Sequence, residues 1–221
     1  MQTDGYDGYD AAMKGNENII HVGCFAHARR KFYEAAQGKK GKAPTAEQGL
    51  YYIKKLYVIE RTLRARYQVQ EGDSEEQQEA KKKKFTRVRQ MCAWVVLKEF
   101  KGWLMKRKEE VPPSLLLGTA IQYSLNQWDK LVRYLESPYL TPDNNACENA
   151  IRPFVIGRKN WLFNKSPKGA ESSCGMYTLI QTAKENGLNP QEYLTFVFEK
   201  APYACSPEDW EKLLPWNIIK S

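Results

Sequence analysis

Two carboxylates, Asp4 and Glu148, stand in settings that suit the binding of a hard metal ion. Asp4 closes a short extended segment and precedes Gly5, a place from which a side chain can project off a sheet edge into a cleft. Glu148 follows Thr141-Pro-Asp-Asn-Asn-Ala-Cys, a run rich in helix-start residues. Carboxylates brought together from distant elements are what magnesium requires, because that hard ion takes oxygen ligands in octahedral array. Each residue also has an ordinary reading. Asn145 to Glu148 fits a capping box, and Glu148 with Arg152 makes a favourable i,i+4 pair. Asp4, Asp7 and Asp10 recur in an Asp-Gly-Tyr repeat that suits turns.

Positioning these groups falls to the elements around them. Residues 1–6 read as extended, and so does the β-branched run Ile19-Ile-His-Val-Gly-Cys-Phe25, with room for one short helix in 8–18. That β-α-β order predicts two parallel neighbouring strands. A helix follows over 26–37, and the basic, glycine-punctuated stretch 38–44 marks a boundary. From 45 to 137 the pattern is helical. Phe85, Val88, Cys92 and Val95 share one face, as do Ile121, Leu125, Trp128, Val132 and Leu135. Ile53, Leu56, Leu63 and Tyr67 mark an earlier helix, Glu71 to Glu76 form an acidic loop, and Pro112-Pro113 is a break. Residues 152–169 read as a basic loop, 175–185 and 190–200 as helices, and Trp210 to Asn217 as an aromatic tail that packs back. The expected organisation is 1–44, a helical insertion over 45–137, a segment 138–185 with the Glu148 helix, and a helical tail 186–221.

Composition narrows the class of function. The chain has 221 residues, 42% hydrophobic and 27% charged, a globular balance that excludes disordered and fibrous classes. Its net charge of +8 favours a polyanionic partner, nucleic acid or an acidic membrane surface. No apolar run is long enough to span a bilayer and the N-terminus lacks signal-peptide features, so a cytoplasmic protein with no membrane partner is expected. The five cysteines are odd in number and widely spread, without a C-x-x-C pair. They read as reduced, mostly buried thiols. Residues 151–169 carry Arg152, Arg158, Lys159, Lys165 and Lys168 and no acid, interleaved with Phe154, Trp161 and Phe163. That mixture suits a surface that tracks a phosphate backbone and stacks a base, or an aromatic core with solvated cations. Residues 81–108 are also strongly basic, with Glu99 their one acid, and read equally as a DNA surface or a solvated helix face.

Longer words carry more than spacing does. Gln2-Thr-Asp-Gly-Tyr-Asp-Gly-Tyr9, Val22-Gly-Cys-Phe-Ala-His-Ala-Arg-Arg-Lys-Phe32, Asp143-Asn-Asn-Ala-Cys-Glu-Asn-Ala-Ile-Arg-Pro153, Gly157-Arg-Lys-Asn-Trp-Leu-Phe163 and Leu213-Leu-Pro-Trp-Asn217 resemble, in this order, transposases of the insertion sequence 66 family. The resemblance implies an α/β fold: a partial ribonuclease-H-like core of two parallel strands plus helices, interrupted by the all-helical insertion. It implies DDE-type catalysis, with the second Asp of the triad at Asp4 and the Glu at Glu148. The first Asp lies upstream of anything present here, so an incomplete copy of a longer transposase is expected. Asn149 stands where the family commonly has arginine, which leaves the carboxylate untouched.

Implied with the family is a site for two Mg2+ ions, held here by Asp4 and Glu148 and incomplete without the first Asp. One ion would activate the attacking water or 3′-hydroxyl and the other would stabilise the leaving oxygen. Transposon ends and target DNA are the implied partners, with Arg29, Arg30, Lys31, Arg152, Arg158, Lys159, Trp161, Lys165 and Lys168 expected to contact them. Self-association, or assembly with the missing N-terminal part, is a further expected partnership, in the bacterial cytoplasm and on the nucleoid when DNA is bound. His21 reads as packing and His27 as structural or phosphate-facing. The alternatives are a catalytically inactive DNA-binding remnant and a nuclease in which Asp7 or Asp10 replaces the absent Asp.

Overall fold

The computed structural model describes residues 1–5, 8, 18–38, 43–161 and 164–218, with the backbone alone at 158–161. Asp7, Asp10, Phe163 and most of the short helix expected over 8–18 lie outside them. The chain divides into two compact units, Met1–Asn145 and Ala146–Ser221.

In the first unit, α1 (Phe25–Gln37), α2 (Pro44–Arg66), α3 (Glu75–Glu110), α4 (Leu116–Asn126) and α5 (Trp128–Val132), the last continued by a 3-10 turn Arg133–Glu136, surround one core. The longest, α3, starts at a full capping box: the Gln77 N–H donates to Ser74 Oγ (3.3 Å) and the Ser74 N–H to Gln77 Oε1 (2.9 Å). Glu75 and Glu76 in its first turn and Arg107 and Lys108 in its last complement the helix dipole. Phe32, Tyr52, Phe100, Trp103 and Trp128 form an aromatic cluster that ties α1, α2, α3 and α5 together, with Tyr52 stacked on Phe100 at 5.3 Å. At Gly49 a Cβ would stand 2.6 Å from the Phe32 ring, so α2 approaches α1 closely there.

The buried face of α3 is Phe85, Arg89, Ala93, Val96, Leu97, Phe100 and Leu104. This corrects the stripe expected through Cys92 and Val95, both of which are exposed. Arg89 is the cause: a charged residue sits at a core position, and hydrophobic periodicity skips it. Its guanidinium is fully buried and donates to the carbonyls of Leu140 (2.9 Å) and Ser137 (2.6 Å), with Glu60 Oε1 at 3.4 Å. Arg64 donates to the same Glu60 oxygen (2.7 Å) and to the Leu140 and Pro138 carbonyls (2.8 and 3.3 Å). The cysteines are also corrected. Cys24 is buried, but Cys92, Cys147, Cys174 and Cys205 are exposed thiols.

The α/β class is overturned. Among the described residues there is no strand, only one parallel bridge between Gln2 and Val22, and the molecule is helical. The ribonuclease-H-like core with two parallel strands is therefore not what these residues build. Thr3 N–H donates to Val22 O and Val22 N–H to Met1 O, but the Gly23 N–H goes to Lys130 O and the Phe25 N–H to Pro142 O. A helix carbonyl at Lys130 and a loop carbonyl at Pro142 take the groups a ladder would need, and a positive φ of 81° at Gly5 turns the chain out of the extended state. A two-stranded ribbon alone has too little to stabilise it.

In the second unit, α6 (Asn145–Trp161), α7 (Pro167–Glu185), α8 (Pro190–Lys200) and α9 (Pro207–Lys212) are followed by a 3-10 turn Pro215–Asn217. The basic loop expected from 152 is helical as far as Trp161. Pro153 lies inside α6 and leaves the Asn149 carbonyl without an i+4 backbone donor, which is why the sequence reads as a break. Phe154 packs edge-on against Tyr177 at 5.1 Å. The tail packs back through Leu213 and Pro215, with Tyr193 OH donating to Leu213 O at 3.1 Å, while Trp210 and Trp216 remain exposed.

Removing the buried guanidinium tests this account. Arg89→Ala removes one of the two cations on buried Glu60 and a donor from the Leu140 and Ser137 carbonyls, and should cost about 3–5 kcal/mol, read as a lower urea midpoint at unchanged slope. Gly49→Ala should cost about 1–3 kcal/mol through its clash with Phe32. An unchanged midpoint in Arg89→Ala would show that the clamp contributes no stability.

Candidate active site and nucleic-acid surface

Asp4 is held from the backbone side. Gln2 Nε2 donates to Gly23 O (3.2 Å) and Thr141 O (2.9 Å), and Thr3 Oγ1 lies 2.5 Å from His21 Nε2. Tyr123 OH donates to the Asp4 carbonyl at 2.6 Å. The left-handed φ of Gly5 then lets the chain turn away beneath Tyr123 and Gln127, where any side chain would be strained. Asp4 itself is half-buried.

The segment that leads to Glu148 is fixed within the same unit. The Phe25 N–H reaches Pro142 O, Thr141 Oγ1 donates to Asp143 O, and Asp143 Oδ1 accepts the Asn145 N–H at 3.0 Å. Asn145 is thus the first residue of α6 rather than its cap, and Asp143 supplies the side-chain acceptor. Glu148 lies in the first turn of α6, exposed, and belongs to the second unit.

A cleft of about 530 Å³ opens beside this segment, lined by Arg29, Lys54, Tyr51, Tyr57, Asp143 and Asn145. Burial, reinforced by a hydrogen bond to Asp143, pushes the Tyr57 phenol far above its ordinary range, so it stays a donor. Two cations therefore share a concave surface with a carboxylate that Tyr57 already engages. Arg30 is exposed beside Glu34 (4.0 Å), and Lys31 lies over the Tyr123 ring at 5.0 Å.

On the second unit, Arg152, Lys165 and Lys168 are exposed. Arg158, Lys159 and Trp161 fall on the last turns of α6, where side chains are outside the described set. Phe154 is engaged with Tyr177 and is not offered to a base. His21 is buried against Thr3, as packing requires.

Oxygen donors such as Asp4 and Glu148 suit a hard divalent cation. Among the described residues, however, no three His, Cys, Asp or Glu side chains cluster as a metal set. Gln2, Tyr123 and Tyr57 were missed as positioning groups because a side chain that grips a distant carbonyl leaves no periodic trace in sequence.

Tyr123 provides a measurable handle. Burial, with the charges of Cys24 and Asp4 nearby, pushes its phenol up to about 12 from 10.0. The folded state then holds this proton more tightly than the unfolded state. Its stabilising contribution is complete below pH 10 and is lost as pH rises through about 12. Tyr123→Phe should cost about 0.5–1.5 kcal/mol at neutral pH, flatten that alkaline loss, and speed amide exchange at Thr3 and Val22. Urea midpoints against pH and exchange mass spectrometry read all three.

Comparison with known proteins places the chain. The family model described as Transposase IS66 family matches residues 1–172, and the IS66 C-terminal element matches 178–216. Two Sinorhizobium fredii (strain NBRC 101917 / NGR234) proteins, Uncharacterized protein y4jD and Uncharacterized protein y4qI, are 29% and 30% identical to it. These matches cover 98% and 99% of this chain and 40% and 39% of the relatives, so the chain spans about two fifths of their length. No solved structure matches. Among the described residues no helix is long and apolar enough to cross a membrane. With both family elements matched in order over nearly all its residues, the chain belongs to the IS66 family of transposases.

Proposed function

We propose that this chain serves DNA transposition as the part of a transposase that carries two catalytic carboxylates, Asp4 and Glu148, and much of the DNA-binding charge. The observation that carries the reading is the Gln2 tether. Two residues before Asp4, it grips Thr141, at the head of the segment that runs into the Glu148 helix. A family match across 1–172 contains both residues.

Asp4 and Glu148 are the residues that would hold magnesium, which when bound supplies charge neutralisation at the phosphate and an activated oxygen nucleophile. The chain's own groups do the positioning. Tyr123 and Gln2 fix the backbone of the Asp4 segment, and Asp143 fixes the start of α6. Exposed Arg29 and Arg30, with Lys31, on the first unit, and Arg152, Lys165 and Lys168 on the second, bind the DNA backbone by neutralising phosphates. Arg158, Lys159 and Trp161 extend that surface in this proposal. The third carboxylate of the triad is not assigned among the described residues. The protein acts on chromosomal DNA in the bacterial cytoplasm.

A second reading, an inactive DNA-binding remnant, is favoured by the lack of a three-donor cluster among the described residues. Iron(II) in place of magnesium, with peroxide and ascorbate, separates the two. A shared site cuts the polypeptide near both 4 and 148, and Asp4→Ala or Glu148→Ala abolishes both cuts. Cutting at neither position supports the remnant.

On this proposal Asp4 and Glu148 are two of three required carboxylates, so the chain alone should neither nick nor join DNA ends in magnesium. Magnesium-dependent nicking abolished by Asp4→Ala would make it a self-sufficient nuclease. Duplex DNA should bind with little sequence preference and an affinity that falls steeply with salt. Replacing Arg158 and Lys159 together should lower the salt slope by roughly one to two units, about 0.9 for each phosphate that is no longer neutralised.

A further inference from the structure

The face of α3 opposite the core carries large apolar side chains that no described residue covers, set among charged ones. Met91 is 65% exposed, Trp94 57%, Val95 58% and Met105 57%. Arg87, Met91, Trp94, Lys98, Gly102, Met105 and Glu109 recur at steps of three and four residues, so they form one stripe along the helix. Phe85, Arg89, Ala93, Val96, Phe100 and Leu104 occupy the other side, in the core. Within the stripe Gly102 stands out, because a Cβ built there meets nothing within 4 Å. A helix interior that gains nothing from glycine has an open notch in the middle of an apolar ridge.

We propose that this stripe is the contact for a second copy of the chain, the two α3 helices packing antiparallel about a two-fold axis at Lys98. In that register the stripe is complementary to itself. Trp94, its largest exposed side chain, lies opposite Gly102 of the other copy and fills the notch, and Met91 lies against Met105. Arg87 at one end faces Glu109 at the other, so each end carries an opposite-charge pair. Parallel packing would set Trp94 on Trp94, Arg87 on Arg87 and Glu109 on Glu109, which like-charge repulsion disfavours. The contact runs roughly 33 Å along the helix, at 1.5 Å per residue. Lys98 on the axis keeps its ammonium in water while its stem covers apolar surface.

Charge separates this contact from DNA binding. Each copy carries a net charge of +8, so added salt screens the repulsion between copies and tightens self-association, whereas it weakens binding to a polyanion. The surface and its partner are independent of the catalytic assignment.

Sedimentation equilibrium of the full chain, free of nucleic acid, tests the proposal. The mass should move from 25.6 kDa towards twice that value with rising concentration, and further at higher salt. Trp94→Ala should weaken the dimer roughly tenfold or more, as loss of a central aromatic anchor does. Gly102→Gln should abolish the dimer while raising the thermal midpoint of the monomer, since glycine is a poor helix former, so misfolding cannot explain the result. Arg87→Glu and Glu109→Arg should each weaken association, and the two together should restore it. A chain that stays monomeric, a dimer indifferent to Gly102→Gln, or a double charge reversal that fails to restore association would overturn the proposal. So would a Trp94→Ala variant that loses DNA affinity without any change in mass.

Discussion

One buried ionic cluster organises the first unit. Arg89 and Arg64 converge on a single oxygen of Glu60 and also donate to the carbonyls of Ser137, Pro138 and Leu140. Burial pushes the Arg89 guanidinium down from its ordinary range, and Glu60 opposes the shift. An uncompensated charge there would be costly, so α2 and α3 must meet at this register and the chain after α5 must cross them at this point. Glu60 Oε2 and Arg89 Nε lack protein partners, so the cluster leaves two buried polar atoms unsatisfied, a cost a purely apolar core would not carry. What it adds is a fixed exit for the segment 137–145.

That exit matters because the groups around Asp4 are built on the same frame. The segment whose carbonyls Arg89 and Arg64 hold continues to Thr141, which Gln2 grips, and to Pro142, which accepts the Phe25 N–H. Tyr123, on α4, holds the Asp4 carbonyl. Three helices and an irregular N-terminal segment are therefore coupled through backbone carbonyls rather than through a sheet. Carbonyl-gripping side chains do here what a β-ladder would do in an α/β protein, which accounts for extended segments that pair at only one bridge.

The two faces of α3 show how one helix can serve two purposes. Its core face is interrupted by Arg89 and its outer face exposes Met91, Trp94, Val95 and Met105, so the hydrophobic signal spreads around the helix instead of concentrating on one side. A periodicity argument then selects the wrong stripe, through Cys92 and Val95.

The sequence by itself determined the presence of most helices, the breaks at Gly38 and Pro112-Pro113, and the family. Apolar spacing, helix caps and long ordered motifs are local properties that survive without knowledge of contacts. It also singled out Asp4 and Glu148 as candidates, through the words around them. Only the tertiary structure decided that residues 1–5 and 19–23 form a bridge rather than a sheet, since the competing acceptors on Lys130 and Pro142 are over a hundred positions away. Only it decided that α6 continues through Pro153, and that Arg89 belongs in the core. In each case the deciding partner, a carbonyl or ring brought in by a distant element, leaves no periodic mark on the segment it controls.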